Sequence, residues 1–293
     1  MNSKNEIGWA SWVQLIVLGI IWGSSFILIK RSLVSLTPVE VASFRISIAC
    51  LALLPFVISR FAAIDWASWH KFLFVGLTTT GIPSFCFAFA QTHVDSATAG
   101  ILNSLTPIFT LLISVWMFKA PFEWGKLLGV LIGFVGAGML VYNAGGGVHG
   151  NNAFYSLLIL LATLCYGFNA NAVKQFFPTT NSVTVSAVAF VMVGFPALLY
   201  LLFSGSFARV VADSAAYPSL LAVTVLSLLC TVLANIVFYK LIQNTNAVFG
   251  STVTFLIPVV ASIWGLIDGE AFGIFHVIAM ICILIALLII RRK

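Results

Sequence analysis

Ionisable side chains are scarce in this sequence: 14 Lys and Arg, 8 Asp and Glu and 4 His among 293 residues. Acid–base catalysis, metal-bound water or an activated nucleophile needs several such groups close together. His70, His93, His149 and His276 are too scattered to suggest a metal site, and no phosphate-binding loop, GxSxG elbow or HExxH pair occurs. What the chain offers instead are single amides and hydroxyls set within apolar runs. Asn103, Thr106 and Pro107 lie at i, i+3 and i+4, and Ser251, Thr254 and Pro258 at i, i+3 and i+7, so each set shares one helical face. Trp22 with Ser25, and Tyr166 with Asn169, each place an aromatic ring beside a hydrogen-bonding group, which suits an amphipathic organic solute. Ser84 and Asn235, with Tyr239 one turn beyond Asn235, form a further set. The same residue types also serve helix packing, and the sequence leaves both readings open.

Three ionisable groups stand apart. Arg45 falls seven residues after Pro38, about 10 Å into an apolar run at 1.5 Å per residue. A lone Arg at mid-bilayer costs about 2.5–3.5 kcal/mol on insertion scales, so it needs a partner. Glu40, five residues back, is badly placed around the helix. The alternatives are a group on another helix, a substrate carboxylate, or helix-end carbonyls reached by snorkelling. Glu270 and His276, two turns apart, are candidates for handling a proton, since imidazole titrates near neutral pH, although a lone His near a helix end also serves to bond a neighbour.

These groups must be held by membrane-spanning helices. The chain is 61% hydrophobic and 8% charged, against roughly 45–50% and about 25% in soluble domains, and such a composition cannot coat a water-exposed surface. At about 20 residues per span, the neutral stretches divide into ten helices: 11–30, 38–58, 71–91, 97–118, 125–143, 153–173, 182–203, 218–240, 246–267 and 272–290. Barrel strands are about 10 residues of alternating polarity, and these runs are neither. No room remains for a separate catalytic or nucleic-acid-binding domain, and the net charge of +6 comes from scattered residues rather than a basic patch. The apolar run that begins after Ala10 carries no cleavage-site pattern and reads as a retained first helix. The five cysteines all fall within apolar stretches and read as packing residues. So do Gly129, Gly133 and Gly136 in the fifth helix, within the chain or between protomers.

With a cytoplasmic N-terminus, ten basic residues (Lys4, Arg60, Lys71, Lys119, Lys126, Lys174, Lys240, Arg291, Arg292, Lys293) lie inside and three (Lys30, Arg31, Arg209) outside. That bias places both termini in the cytoplasm.

The Gly/Asn run at 143–152 divides the chain into halves 1–143 and 153–293 joined by a linker at 144–152. Trp22-Gly23-Ser24-Ser25-Phe26 with Lys30 falls on Tyr166-Gly167-Phe168-Asn169-Ala170 with Lys174, and Ala99 to Pro107 falls on Gly250 to Pro258. The pattern is that of a duplication. Five helices being odd, the second copy must enter the membrane from the opposite side, which places a site between the halves.

The Trp-Gly-Ser-Ser-Phe of the first helix, Phe44-Arg45 in the second, the proline-centred fourth and ninth helices and Gly269-Glu270 resemble the drug/metabolite transporter superfamily, in its ten-helix EamA type. The resemblance covers essentially the whole chain. It departs where the family has Gly-Glu after the fourth helix, for this chain reads Lys119-Ala120. The resemblance implies two inverted five-helix repeats around a central cavity that moves small organic solutes, several members exporting amino acids or related metabolites.

The expectation is therefore an all-α secondary transporter of the inner membrane, exporting a small amphipathic metabolite such as an amino acid by alternating access. Its cavity would be formed by the first, third, fourth, sixth, eighth and ninth helices, driven by the proton gradient or by the substrate's own. Its partners are that small molecule, H+ as a candidate coupling ion and the lipid bilayer, with no cofactor, metal or nucleic acid, in a monomer or weak homodimer. The rivals are a membrane enzyme acting on lipid and a non-transporting scaffold.

Overall fold

The computed structural model describes residues 8–94, 96–143, 153–267 and 274–291, and every regular element among them is helical. In chain order these are α1 (Trp9–Ser32), α2 (Pro38–Ser59), α3 (Trp66–Ala90), α4 (Ser96–Asn103 and Thr106–Trp116), α5 (Trp124–Asn143), α6 (Ala153–Phe176), α7 (Ser182–Phe203), α8 (Ser214–Asn244), α9 (Ala247–Ser251 and Val253–Ile267) and α10 (Ile274–Arg291). The short helix Ser206–Ala212 bridges α7 and α8. Six of them, α1, α2, α3, α6, α7 and α8, are long and apolar enough to cross a membrane; α4, α5, α9 and α10 contribute shorter apolar stretches. The linker 144–152 and Glu270 lie outside the described residues; His276 falls within α10, its side chain outside them.

The apolar runs yield helices close to the expected bounds, but not continuous ones. α1 breaks at Ser24, α4 at Ser104-Leu105 and α9 at Thr252, while α3 and α8 each contain a π turn, at Leu77–Gly81 and Leu226–Leu233. A hydroxyl residue sits at each break. Ser24, Ser104 and Thr252 donate their hydroxyls to the carbonyls of Ile20, Gly100 and Phe249 at 3.0, 2.9 and 2.6 Å, each carbonyl also accepting the same residue's backbone N–H. Pro107 sits at the start of the second piece of α4, where its missing N–H costs nothing. Pro258 lies inside α9 and denies the Thr254 carbonyl its helical donor; the Ser104 hydroxyl of α4 lies 3.3 Å from that carbonyl, its one proton shared with the nearer Gly100 carbonyl.

The principal packing partners are α2 with α7, α5 with α10, α1 with α9, α4 with α6, α3 with α6, and α1 with α8. Numbering the halves α1–α5 and α6–α10 and exchanging them turns this set of pairs into itself. The paired π turns in α3 and α8 obey the same exchange. Small residues bring the crossings close. A Cβ added at Gly19 or Gly23 of α1 would come within 2.7 Å of Leu256 or Val260 of α9, and one at Gly194 of α7 would overlap Cys50 of α2. Gly129 packs on Ile290 of α10 and Gly133 on the ring of Phe255 in α9, so these two glycines of α5 serve contacts inside the chain. Cys50, Cys86, Cys165 and Cys230 are buried thiols in these packed faces.

The contacts also give directions. Trp12 meets Phe249, Gly19 meets Leu256 and Gly23 meets Val260, so α1 and α9 run parallel. Trp22 bonds the Cys230 carbonyl while Ser219 bonds that of Arg31, so α1 and α8 run antiparallel. Asn169 meets Tyr239 and Lys174 meets Gln243, so α8 and α6 run parallel.

Polar latches close the two ends. At one, Glu40, in a capping box with Thr37, accepts 2.7 Å bonds from Arg209 on both oxygens. At the other, Lys174 Nζ donates to the Gln243 and Thr245 carbonyls at 2.8 and 2.7 Å, and Gln243 Nε2 to those of Phe177 and Thr180 at 2.6 and 2.7 Å.

Candidate binding chamber

Where the helix breaks and π turns converge, the packing leaves a chamber with about 70 Å³ of room for the centres of water-sized molecules, several times the roughly 10–15 Å³ that one water needs. α1, α3, α4, α6, α8 and α9 all line it, and α2 joins them through Arg45.

Nine of the eleven binding residues chosen from the sequence meet on this wall: Trp22, Ser25, Asn103, Thr106, Tyr166, Asn169, Asn235, Ser251 and Thr254. They come from five helices. Trp22 is fixed by its Nε1–H bond to the Cys230 carbonyl at 2.8 Å and by edge contact with Phe238 at 5.0 Å. Tyr166 stacks on Phe87 at 6.1 Å. The Ser25, Thr106, Ser251 and Thr254 hydroxyls donate to carbonyls three residues back, at 2.7 to 3.0 Å. Having spent their protons, they present lone pairs to the chamber. Asn169 Nδ2 reaches the Val75 carbonyl at 3.1 Å and Asn235 Nδ2 the Thr231 carbonyl at 2.7 Å. Asn103 Oδ1 is buried and has no hydrogen-bond partner among the described residues.

The other two chosen residues lie elsewhere. Ser84 is buried against Thr80 at 3.1 Å and does not line the chamber. Tyr239 is fully buried behind the wall, its hydroxyl 2.5 Å from Thr79 and 3.4 Å from Asn169. Thr79 takes the place on α3 that the sequence assigned to Ser84. The repeat makes Ser84 the equivalent of Asn235 in the second half, and the π turns that precede the two differ, five residues at Leu77–Gly81 against eight at Leu226–Leu233, so equivalent positions do not face alike. The run Thr78-Thr79-Thr80 was the available signal. Phe26, Phe87 and Phe238 also line the chamber; as apolar residues among 26 Phe, they cannot be told from lipid-facing ones by type.

Arg45 is half-buried and faces this space. Its Nε–H donates to Thr231 Oγ1 in the π turn of α8 at 2.7 Å. Its protein partner is thus a neutral hydroxyl from another helix rather than a helix-end carbonyl. Glu40 is engaged with Arg209, away from Arg45.

The chain is similar to known proteins along its whole length. The profile of the EamA-like transporter family matches twice, over residues 9–142 and 153–292. An uncharacterized transporter of Archaeoglobus fulgidus is 23% identical over 87% of this chain and 88% of its own. The uncharacterized inner membrane transporter YedA of Escherichia coli is 26% identical, with 94% and 89% covered, and the uncharacterized transporter YetK of Bacillus subtilis is 26% identical, with 99% and 89% covered. A solved crystal structure shares the fold with a TM-score of 0.71 over 96% of both chains at 16% identity.

Proposed function

The chain belongs to the EamA-like transporter family, a multi-pass membrane protein whose relatives carry the names of transporters rather than enzymes, and from its chamber we propose that it exports small amphipathic metabolites, amino acids or their relatives, across the inner membrane by alternating access. The observation that carries this reading is the chamber itself. It combines aromatic faces (Trp22, Tyr166), neutral oxygen acceptors and one guanidinium, which is the wall chemistry a small solute with an apolar body and a polar end would require. A lipid-modifying enzyme would need acids, bases or metal ligands grouped at one depth, and a scaffold would need no polar chamber.

The same proposal includes ten spans in two five-helix repeats of inverted topology. In its support, α1 runs antiparallel to α8, and α8 parallel to α6, so the first helices of the two halves point opposite ways. Pairing that survives exchange of the halves fits a two-fold axis in the membrane plane. The distribution of Lys and Arg supports cytoplasmic termini. The driving force is the proton gradient or the substrate's own.

The test is purified protein in liposomes, offered labelled amino acids with and without an imposed pH gradient. Uptake above empty vesicles is expected, with acceleration by the gradient only under proton coupling. If neither amino acids nor related amphiphiles move, the substrate class is wrong.

A further inference from the structure

The chamber is unbalanced in its hydrogen bonding. A guanidinium carries five N–H donors. Arg45 spends its Nε–H on Thr231, whose hydroxyl passes its own proton to the Leu226 carbonyl, five residues back in the π turn, at 3.1 Å. Its two terminal nitrogens have no hydrogen-bond partner among the described residues, and the ion pairs found there join other groups, Lys126 with Glu123 and Arg209 with Glu40. The four N–H groups left over form the end-on fork that fits a carboxylate with two parallel bonds. Among the described residues no second cation lines the chamber: its other polar residues are neutral, and Asn169 and Asn235 each give an N–H to a backbone carbonyl.

We infer that Arg45, oriented by Thr231, anchors the carboxylate of the substrate. Resting on the transport reading above, this defines the substrate class as small monocarboxylates and excludes their amides and decarboxylated amines. Bonds to a charged group are worth about 1.5–3 kcal/mol, or roughly ten- to a hundredfold in affinity.

The experiment uses the full-length protein in liposomes. Leucine, phenylalanine, alanine and serine are each compared with the matching amide, amine and 2-hydroxy acid, for flux and for thermal stabilisation of the detergent-purified protein. The acids and hydroxy acids are expected to move at least about tenfold faster than the amides and amines. Arg45→Gln should abolish that preference, Arg45→Lys restore part of it, and Thr231→Val raise KM more than it lowers kcat. Should Arg45→Gln fail to fold, the comparison on the unmodified protein still decides. Amides or amines moving as fast as acids overturn the anchor and leave transport standing. Acids that stabilise the protein, lose that effect in Arg45→Gln and yet show no flux support the anchor and overturn the transport reading. No stabilisation and no flux with any probe overturn both.

Discussion

Asn103 and Asn169 both face the chamber but hold different things. Asn169 joins three helices by bonding the Val75 carbonyl and approaching Thr78 and Tyr239, whereas the Oδ1 of Asn103 bonds nothing among the described residues. Substituting each by Ala therefore separates structure from transport. Asn169→Ala should cost about 1–3 kcal/mol, because buried partners lose their bonds, and should lower flux as well. Asn103→Ala should leave the thermal unfolding midpoint nearly unchanged while lowering flux about tenfold, the equivalent of 1.4 kcal/mol. Thermal melts and liposome uptake on the same preparations check both. Equal melting losses in the two variants would contradict this division, and unchanged flux in Asn103→Ala would remove that residue from the binding wall.

At the scale of the helices, the broken segments depend on donors lent by neighbours. The Thr254 carbonyl, stripped of its helical partner by Pro258, receives a share of the Ser104 hydroxyl proton from α4. Ser104→Ala should cost about 1–3 kcal/mol by leaving a buried carbonyl unsatisfied. Pro258→Ala restores a backbone N–H at that point, so the double variant should recover much of the loss; additivity in this cycle would show that the two groups do not share the carbonyl. The contact of α1 with α9 is a second such element. Gly19→Val would drive a side chain into Leu256, 2.7 Å from the new Cβ, and overpacking of this kind costs about 1–3 kcal/mol. A reduced monodisperse fraction on size exclusion is the expected readout.

Across the whole molecule, the proposed inverted arrangement makes a prediction about sides. Val34 follows α1 and Thr179 follows α6, the first helices of the two halves, and both are exposed. Cysteines introduced there, in a background with the five native ones removed, should react from opposite faces. A membrane-impermeant maleimide added to intact cells stripped of their outer envelope should label Val34→Cys and leave Thr179→Cys unlabelled until the membrane is opened. Labelling of both from one face would rule out inversion.

Apolar length and the placement of Lys and Arg could be read from the chain because the bilayer imposes them locally: each span must satisfy its own backbone bonds and exclude charge, whatever its neighbours do. The duplication could be read too, since Trp22 to Lys30 repeats at Tyr166 to Lys174 in the order of residues itself. The facing of side chains was legible for nine of the eleven chosen residues, but not for Ser84, Tyr239 or the partner of Arg45. Thr79 rather than Ser84 lines the chamber and Thr231 partners Arg45, and both threonines lie within π turns, of α3 and α8. In α3 the Val75 carbonyl beside the turn accepts from Asn169 of α6, and in α8 Thr231, whose hydroxyl bonds Leu226 within the turn, accepts from Arg45 of α2, so these turns belong to the packed assembly and leave no periodic trace in a single segment.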